Sequence, residues 1–208
     1  MTTFNRRFKG RIQGSQMPPQ DADFIVETQT FWDDMRAPAT TVKGAAVAPS
    51  DDATNGLLLF SGNTTNTVFI TMQIPHTWYE GSTLKPHVHW QKTDTSSGDV
   101  LWQLDYKWAP VNEVMDAAFT TLQASTVADG TPDTDTADKH LITPLGDISG
   151  AGKQVSDMLV MKLSRLGGDA SDTYNNKNAR FLEFDIHYEV DGVGTAAEYT
   201  KIYHNSRL

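Results

Sequence analysis

The sequence predicts an all-β fold, an antiparallel two-sheet sandwich of jelly-roll type preceded by an extended amino-terminal arm. Three observations carry this expectation. Apolar residues alternate with polar ones at a period of two along most of the chain, turn-rich segments separate the alternating runs, and no segment sustains a helical period. A length of 208 residues suits one large sandwich.

Taken in order, the candidate strands are Phe24 to Thr30, Gly56 to Phe60, Thr67 to Ile74, Leu84 to Lys92, Asp99 to Trp108, Ala118 to Val127, Leu141 to Leu145, Met158 to Arg165, Arg180 to Val190 and Glu198 to His204. The clearest is Arg180 to Val190. Leu182, Phe184, Ile186, Tyr188 and Val190 fall on one face, and Glu183, Asp185, His187 and Glu189 on the other. Trp102, Leu104, Tyr106 and Trp108 repeat the pattern. Residues 40–55, 94–98, 128–139, 146–156 and 167–178 read as loops by composition. Residues 110–118 are expected to form at most one helical turn. None of these connections has the character of a domain linker, so the expected division is an arm over 1–20 and a sandwich over 21–208.

Charge is unevenly placed. The formal net charge is −9, yet Arg6, Arg7, Lys9 and Arg11 stand in the first twenty residues without an acid, leaving 13 basic and 26 acidic residues, or −13, for the rest. An acidic body argues against nucleic-acid binding, which needs a basic surface. Rich in Gln, Gly and Pro, the arm reads either as a solvated, disordered tail or, since Phe4, Phe8, Ile12 and Met17 interleave its charges with apolar anchors, as a segment that docks on a partner such as an acidic neighbouring subunit. There is no cysteine, so no disulfide, thiolate metal site or cysteine nucleophile is available. The longest apolar run, Leu57 to Phe60, falls far short of the roughly 18 residues of a membrane span, and the amino terminus lacks the apolar stretch of a signal peptide. A soluble chain with no membrane partner is expected.

Chemistry concentrates in Gly81-Ser-Thr-Leu-Lys-Pro-His87-Val-His89-Trp90, because two imidazoles two residues apart on a strand point the same way. His87 and His89 are the candidate metal ligands, for a divalent ion. Their spacing, G-x5-H-x-H, resembles the opening of the first metal-binding motif of cupins, which implies a metal-dependent enzyme with its ion inside a β-barrel. The resemblance is incomplete. Four residues lead from His89 to Asp94 where the motif places a Glu, and no second cupin segment follows. If Val88 and Trp90 face the core, the histidines lie outside, either as an exposed pair or as one third of a site shared about a trimer axis. His187, on the polar face beside Asp185 and Glu189, can approach the pair across a sheet or stand as a surface histidine. The acidic loop with Asp129, Asp133, Asp135 and Asp138 lacks the glycine and glutamate of an EF-hand. Gly168 to Asp172 reads as a turn-rich connection. No serine elbow, phosphate loop or dinucleotide fingerprint occurs, so covalent catalysis has no visible nucleophile and no catalytic residue is assigned.

Five tryptophans are generous for this length. Trp32 and Trp78 lie beside turn segments and are the candidates for a partner-binding surface, tryptophan being enriched at interfaces and sugar-binding surfaces.

Phe31-Trp-Asp-Asp-Met-Arg-Ala-Pro38, Pro75-His-Thr-Trp78, Pro86-His-Val-His-Trp90 and Glu183-Phe-Asp-Ile-His-Tyr188 together resemble a virion structural protein family of tailed bacteriophages. The likeness extends from residue 31 to 203. It implies a virion structural role, and with it the expectation of a non-enzymatic head-, neck- or tail-associated protein, assembled in the host cytoplasm and bound to other virion proteins; the long loops and numerous aromatics of a large jelly roll add the expectation of self-association as a trimer. The partner-binding residues expected on this reading are Phe4, Arg6, Arg7, Phe8, Lys9, Arg11, Trp32 and Trp78. Two other functions stand beside it: the cupin-like enzyme, and a carbohydrate-binding module for adsorption to a host surface glycan.

Overall fold

Two antiparallel sheets face each other across an aromatic core. The computed structural model describes residues 31–127, 136–174, 176–192, 194–195 and 198–199. The arm, the strand expected over 24–30 and most of that expected over 198–204 lie outside them, as do Asp129, Asp133 and Asp135. The described strands are β1 (Phe31–Pro38), β2 (Lys43–Gly44), β3 (Ser50–Asp52), β4 (Leu57–Phe60), β5 (Thr65–Gln73), β6 (Lys85–Lys92), β7 (Trp102–Ala109), β8 (Thr120–Ala124), β9 (His140–Pro144), β10 (Met158–Leu166) and β11 (Ala179–Val190). Among the described residues there is no helix, and residues 110–118 form turns and bends.

One sheet has the order β3-β4-β11-β6-β9, with β1 also on β11; the other runs β2-β5-β10-β7-β8. From β4 the chain crosses to β5, back to β6 and across again to β7. It then makes the β7–β8 hairpin and crosses between sheets at each later step. Four strands ordered 4-11-6-9 facing four ordered 5-10-7-8 form the double Greek key of a jelly roll.

Alternation decides which side chains meet in the middle. On β6, Pro86, Val88, Trp90 and Lys92 are buried, while Lys85, His87, His89 and Gln91 are only partly covered. From the opposite sheet, Trp102 and Leu104 of β7 and Leu159, Met161 and Leu163 of β10 are all 0% exposed. Trp102 bridges the layers edge-on, its ring centroid 5.1 Å from Phe60 and 6.2 Å from Trp90.

Three sequence expectations need correction. β1 to β3 were not expected: only Met35, Ala37 and Pro38 of β1 are even partly covered, and its exposed first half, Phe31 to Asp34, has no alternation. Leu182 does not join the core face of β11. A bulge between Phe181 and Glu183 makes Phe181 the core residue and turns Leu182 toward the outer face. Trp78 is not a surface residue. It is 0% exposed, bridged to Val190, and so closely covered that a Cβ on Gly150 would come within 2.4 Å of its ring. In the folded chain it offers no surface to a partner. Trp32, at 48% exposed, remains accessible.

A charged pair sits inside the fold. Arg165 takes the core-facing position of β10 that follows Leu163, at 0% exposed beside Asp172, also at 0%. Its Nε and Nη2 donate to Asp172 Oδ2 and Oδ1, both at 2.8 Å. Nη1 donates to the carbonyls of Phe60 and Lys177, and Nη2 also to that of Tyr174. All five guanidinium donors are used. Gly62 makes room for them, because a Cβ there would lie 2.6 Å and 2.8 Å from the Lys177 and Tyr174 carbonyl oxygens.

Candidate functional site

The outer face of the first sheet carries a cluster built by strand register. β11 lies between β6 and β1, so its polar side chains have neighbours on both sides. His87 stands opposite Asp185 and His89 opposite Glu183 on one side, and Asp34 opposite His187 and Arg36 opposite Asp185 on the other. β9 adds His140, which pairs opposite Gln91, diagonal to His89. Asp34, Arg36, His89, His140, Asp185 and His187 border one shallow depression of about 330 Å³.

Asp185 is its centre. Although it is on the outer face, it is only 3% exposed, because imidazoles close over it from β6 and from its own strand. Its Oδ2 lies 3.2 Å from His89 Nε2 and 3.2 Å from His187 Nε2, and its Oδ1 lies 3.6 Å from His87 Nδ1. Burial alone would disfavour its charge. The contacts with His87 and His89, reinforced by positive charge on the imidazoles, outweigh that cost and hold its pKa below the ordinary carboxylate range. Glu183 is occupied elsewhere: Arg36 grips it with Nε to Oε1 at 2.6 Å and Nη2 to Oε2 at 2.7 Å.

Behind the centre, His89 Nδ1 and His140 Nε2 are 2.8 Å apart, so one ring donates and the other accepts. The Asp185 contact raises the pKa of His89, while burial and then the neighbouring charge of His89 lower that of His140.

Proximity here is not matched by alignment. His87 Nδ1, His89 Nε2 and Asp185 Oδ1 are buried atoms without an aligned hydrogen bond, despite the short separations. The His87 and His187 rings lie 4.2 Å apart, tilted by 46°. One ligand-type atom from each of His87, Asp185 and His187 falls within 4.8 Å of the other two.

Of the residues singled out by sequence, His87, His89 and His187 are brought together. The pair faces away from the core, whose space beneath it is filled by Val88 and Trp90, so these two histidines do not reach an ion inside the barrel. Nor does the cluster need a trimer axis, because one chain assembles all these donors. Asp94, which stood near the position of the cupin glutamate, bonds to Lys177 and Tyr174 instead. His140 was missed. Only the pairing of β9 with β6 brings it within reach, some fifty residues further along the chain.

No protein-family model matches this sequence, and no curated protein matches it. Among solved structures, it is similar to the CBM36-1 domain of a multidomain xylanase from the hindgut metagenome of Trinervitermes trinervoides. The identity is 10% and the TM-score 0.40, over 78% of this chain and 100% of that one. It is also similar to CBM35 from Cellvibrio japonicus Abf62, with 10% identity and a TM-score of 0.39 over 80% and 99%. A third is the basic winged bean lectin with Tn-antigen, with 9% identity and a TM-score of 0.29 over 79% and 100%. Likenesses of this size carry no inference, and the jelly-roll assignment rests on the strand order above.

Proposed function

We propose that this chain is a non-enzymatic virion protein of a tailed bacteriophage, a jelly-roll subunit that self-associates, with a trimer expected, and attaches at the head, neck or tail through residues 1 to 20. The observation that supports it is the open side of the sandwich. β1 pairs with β11 alone among the described strands, and β2 covers only Val68 and Phe69 of the facing β5. Between these edges lies a trough of about 420 Å³ bordered by Arg36, Ala37, Phe69 and Ile70. Phe31 is 60% exposed, Trp32 48% and Phe69 42%. Edges that lack a strand partner among the described residues, beside large exposed aromatics, are a template for another chain. Basic, phenylalanine-bearing residues 1 to 20 complement the acidic remainder, which suits an arm laid on a neighbouring subunit.

Sedimentation velocity tests the assembly. The full chain at tens of micromolar and physiological salt sediments as an oligomer, and Phe31→Ser with Phe69→Ser shifts it toward monomer. A strictly monomeric wild type contradicts the proposal. Deleting residues 1 to 20 leaves the body folded but lowers its occupancy in particles; full occupancy moves attachment to the sandwich and its exposed Trp32.

A second reading, adsorption to a host glycan, has its own support. Lys85 Nζ lies 6.0 Å from the Trp32 ring, and Tyr79, 41% exposed, is bonded through its backbone to Glu189, the register partner of Trp32. Aromatic faces beside polar groups suit a sugar ring. Glycan-array binding lost in Trp32→Ala supports this reading, and an array without signal removes it.

A further inference from the structure

We propose that His87, Asp185 and His187 form a binding site for one divalent transition-metal ion of the zinc type, on the outer face of the β6–β11 pair. This goes beyond the assembly role, which does not require it.

The argument starts from distances. Ligands bound at about 2.0–2.2 Å around a tetrahedral ion stand roughly 3.4 Å from one another. Asp185 Oδ1 lies 3.6 Å from His87 Nδ1 and Oδ2 lies 3.2 Å from His187 Nε2, both near that spacing, and one ligand atom from each of the three residues falls within 4.8 Å of the other two, close enough for a small adjustment to bring them around one ion. At 3.6 Å the His87 contact is longer than a hydrogen bond. His87 Nδ1 and Asp185 Oδ1 are buried without an aligned partner, and Asp185 is 3% exposed. A buried carboxylate with an orphaned oxygen directed at an orphaned imidazole nitrogen is costly in an apo chain. An ion removes that cost by accepting both lone pairs.

The donor set selects the class of ion. Two imidazoles and one carboxylate suit zinc, iron(II), cobalt or nickel, whereas calcium and magnesium take oxygen shells. Three protein ligands leave a position open, and His187, with its side chain 39% exposed, marks the solvent side. A water or a ligand atom from a docked molecule completes the shell there. Positioning is supplied from behind. His140 holds His89 through their 2.8 Å contact, and His89 Nε2 stands 3.2 Å from Asp185 Oδ2 without an aligned hydrogen bond. Asp34, 3.3 Å from His187 Nε2, flanks the same ring from β1.

The test uses the untagged full chain, freed of metal with a chelator and titrated with zinc chloride in a calorimeter. One zinc per chain is expected to bind and to raise Tm, with no such rise from calcium chloride. His87→Gln and His187→Gln should each weaken zinc binding more than about tenfold, judged against the 10–100-fold losses caused by altering even supporting groups. His76→Gln, remote from the cluster, should leave it unchanged. His187 is partly exposed, so its variant keeps the fold, as circular dichroism would verify, even if His87→Gln does not. Absence of stoichiometric zinc binding, or equal affinity in wild type and His187→Gln, overturns the proposal.

Discussion

Asp172 and Asp185 are both almost inaccessible to water, at 0% and 3%, yet their surroundings differ in kind. Asp172 meets a guanidinium in a two-pronged contact, with every donor of Arg165 engaged and Leu101 N–H adding a further bond to its Oδ2. Nothing is left over for a ligand. Asp185 is surrounded by three imidazoles at similar distances, but buried atoms on both sides of the contact lack aligned partners. The first arrangement is closed and mechanical, tying β10 to the loop that follows it and to the ends of β4 and the segment before β11. The second is incomplete and has the spacing of an ion's ligands. Burial of a carboxylate by itself therefore distinguishes nothing; whether its hydrogen bonds close does.

The largest expected effect breaks the closed pair. Arg165→Met removes five donors and leaves Asp172 charged and unpaired at the end of the core, which should cost about 3–5 kcal/mol in a denaturant titration. Adding Asp172→Leu should recover most of that loss, because a buried pair replaced as a unit by apolar groups is often tolerated. A single variant as stable as wild type would show that the latch contributes nothing.

The matching change at the other carboxylate should behave differently. Asp185→Asn keeps the shape while removing a charge that the imidazoles favour but that closed hydrogen bonds do not hold, so the metal-free chain should lose clearly less than Arg165→Met does. A loss as large as that of Arg165→Met would mean that the imidazole cluster is itself a structural latch.

These two sites were not equally legible in the sequence. His87 and His89 could be placed on one face because a strand alternates, and Val88 and Trp90 supply the contrast. His187 was visible for the same reason on β11. Their meeting was not visible, because register between strands almost a hundred residues apart is set by packing and by the bulge at Leu182, which leaves no mark in the alternation. His140 depends on the same long-range pairing. The Arg165 latch was hidden differently: Arg165 closes an alternating strand like any surface arginine, and Asp172 lies in a segment whose glycines and serine read only as a turn. Trp78 was misplaced because nearby proline and glycine suggested a surface turn, whereas the turn folds inward over the end of the sandwich. The jelly roll itself was legible, since period-two runs without helices leave few alternatives.

A smaller effect tests an intermediate case. Asp52 accepts bonds from Asn55 Nδ2, Arg180 Nε and Thr54 N–H at 2.8, 2.6 and 3.1 Å, and these lower its pKa to about 2, the Asn55 bond foremost. A carboxylate near 3.9 when unfolded and about 2 when folded contributes stability above about pH 4, and that contribution is lost as pH falls toward 2. Asp52→Asn should therefore flatten the decline of stability over this window while lowering stability at neutral pH. An unchanged acid limb in a pH series of denaturant titrations would remove Asp52 from the account.

X-ray absorption at the zinc edge of the full chain loaded with one equivalent of zinc tests the contrast between the two carboxylates most directly. The account predicts a nitrogen and oxygen shell at about 2.0–2.1 Å with the outer scattering of two imidazoles, reduced to one in His187→Gln. A shell of oxygens without imidazole scattering, or a spectrum unaltered by that substitution, would contradict it.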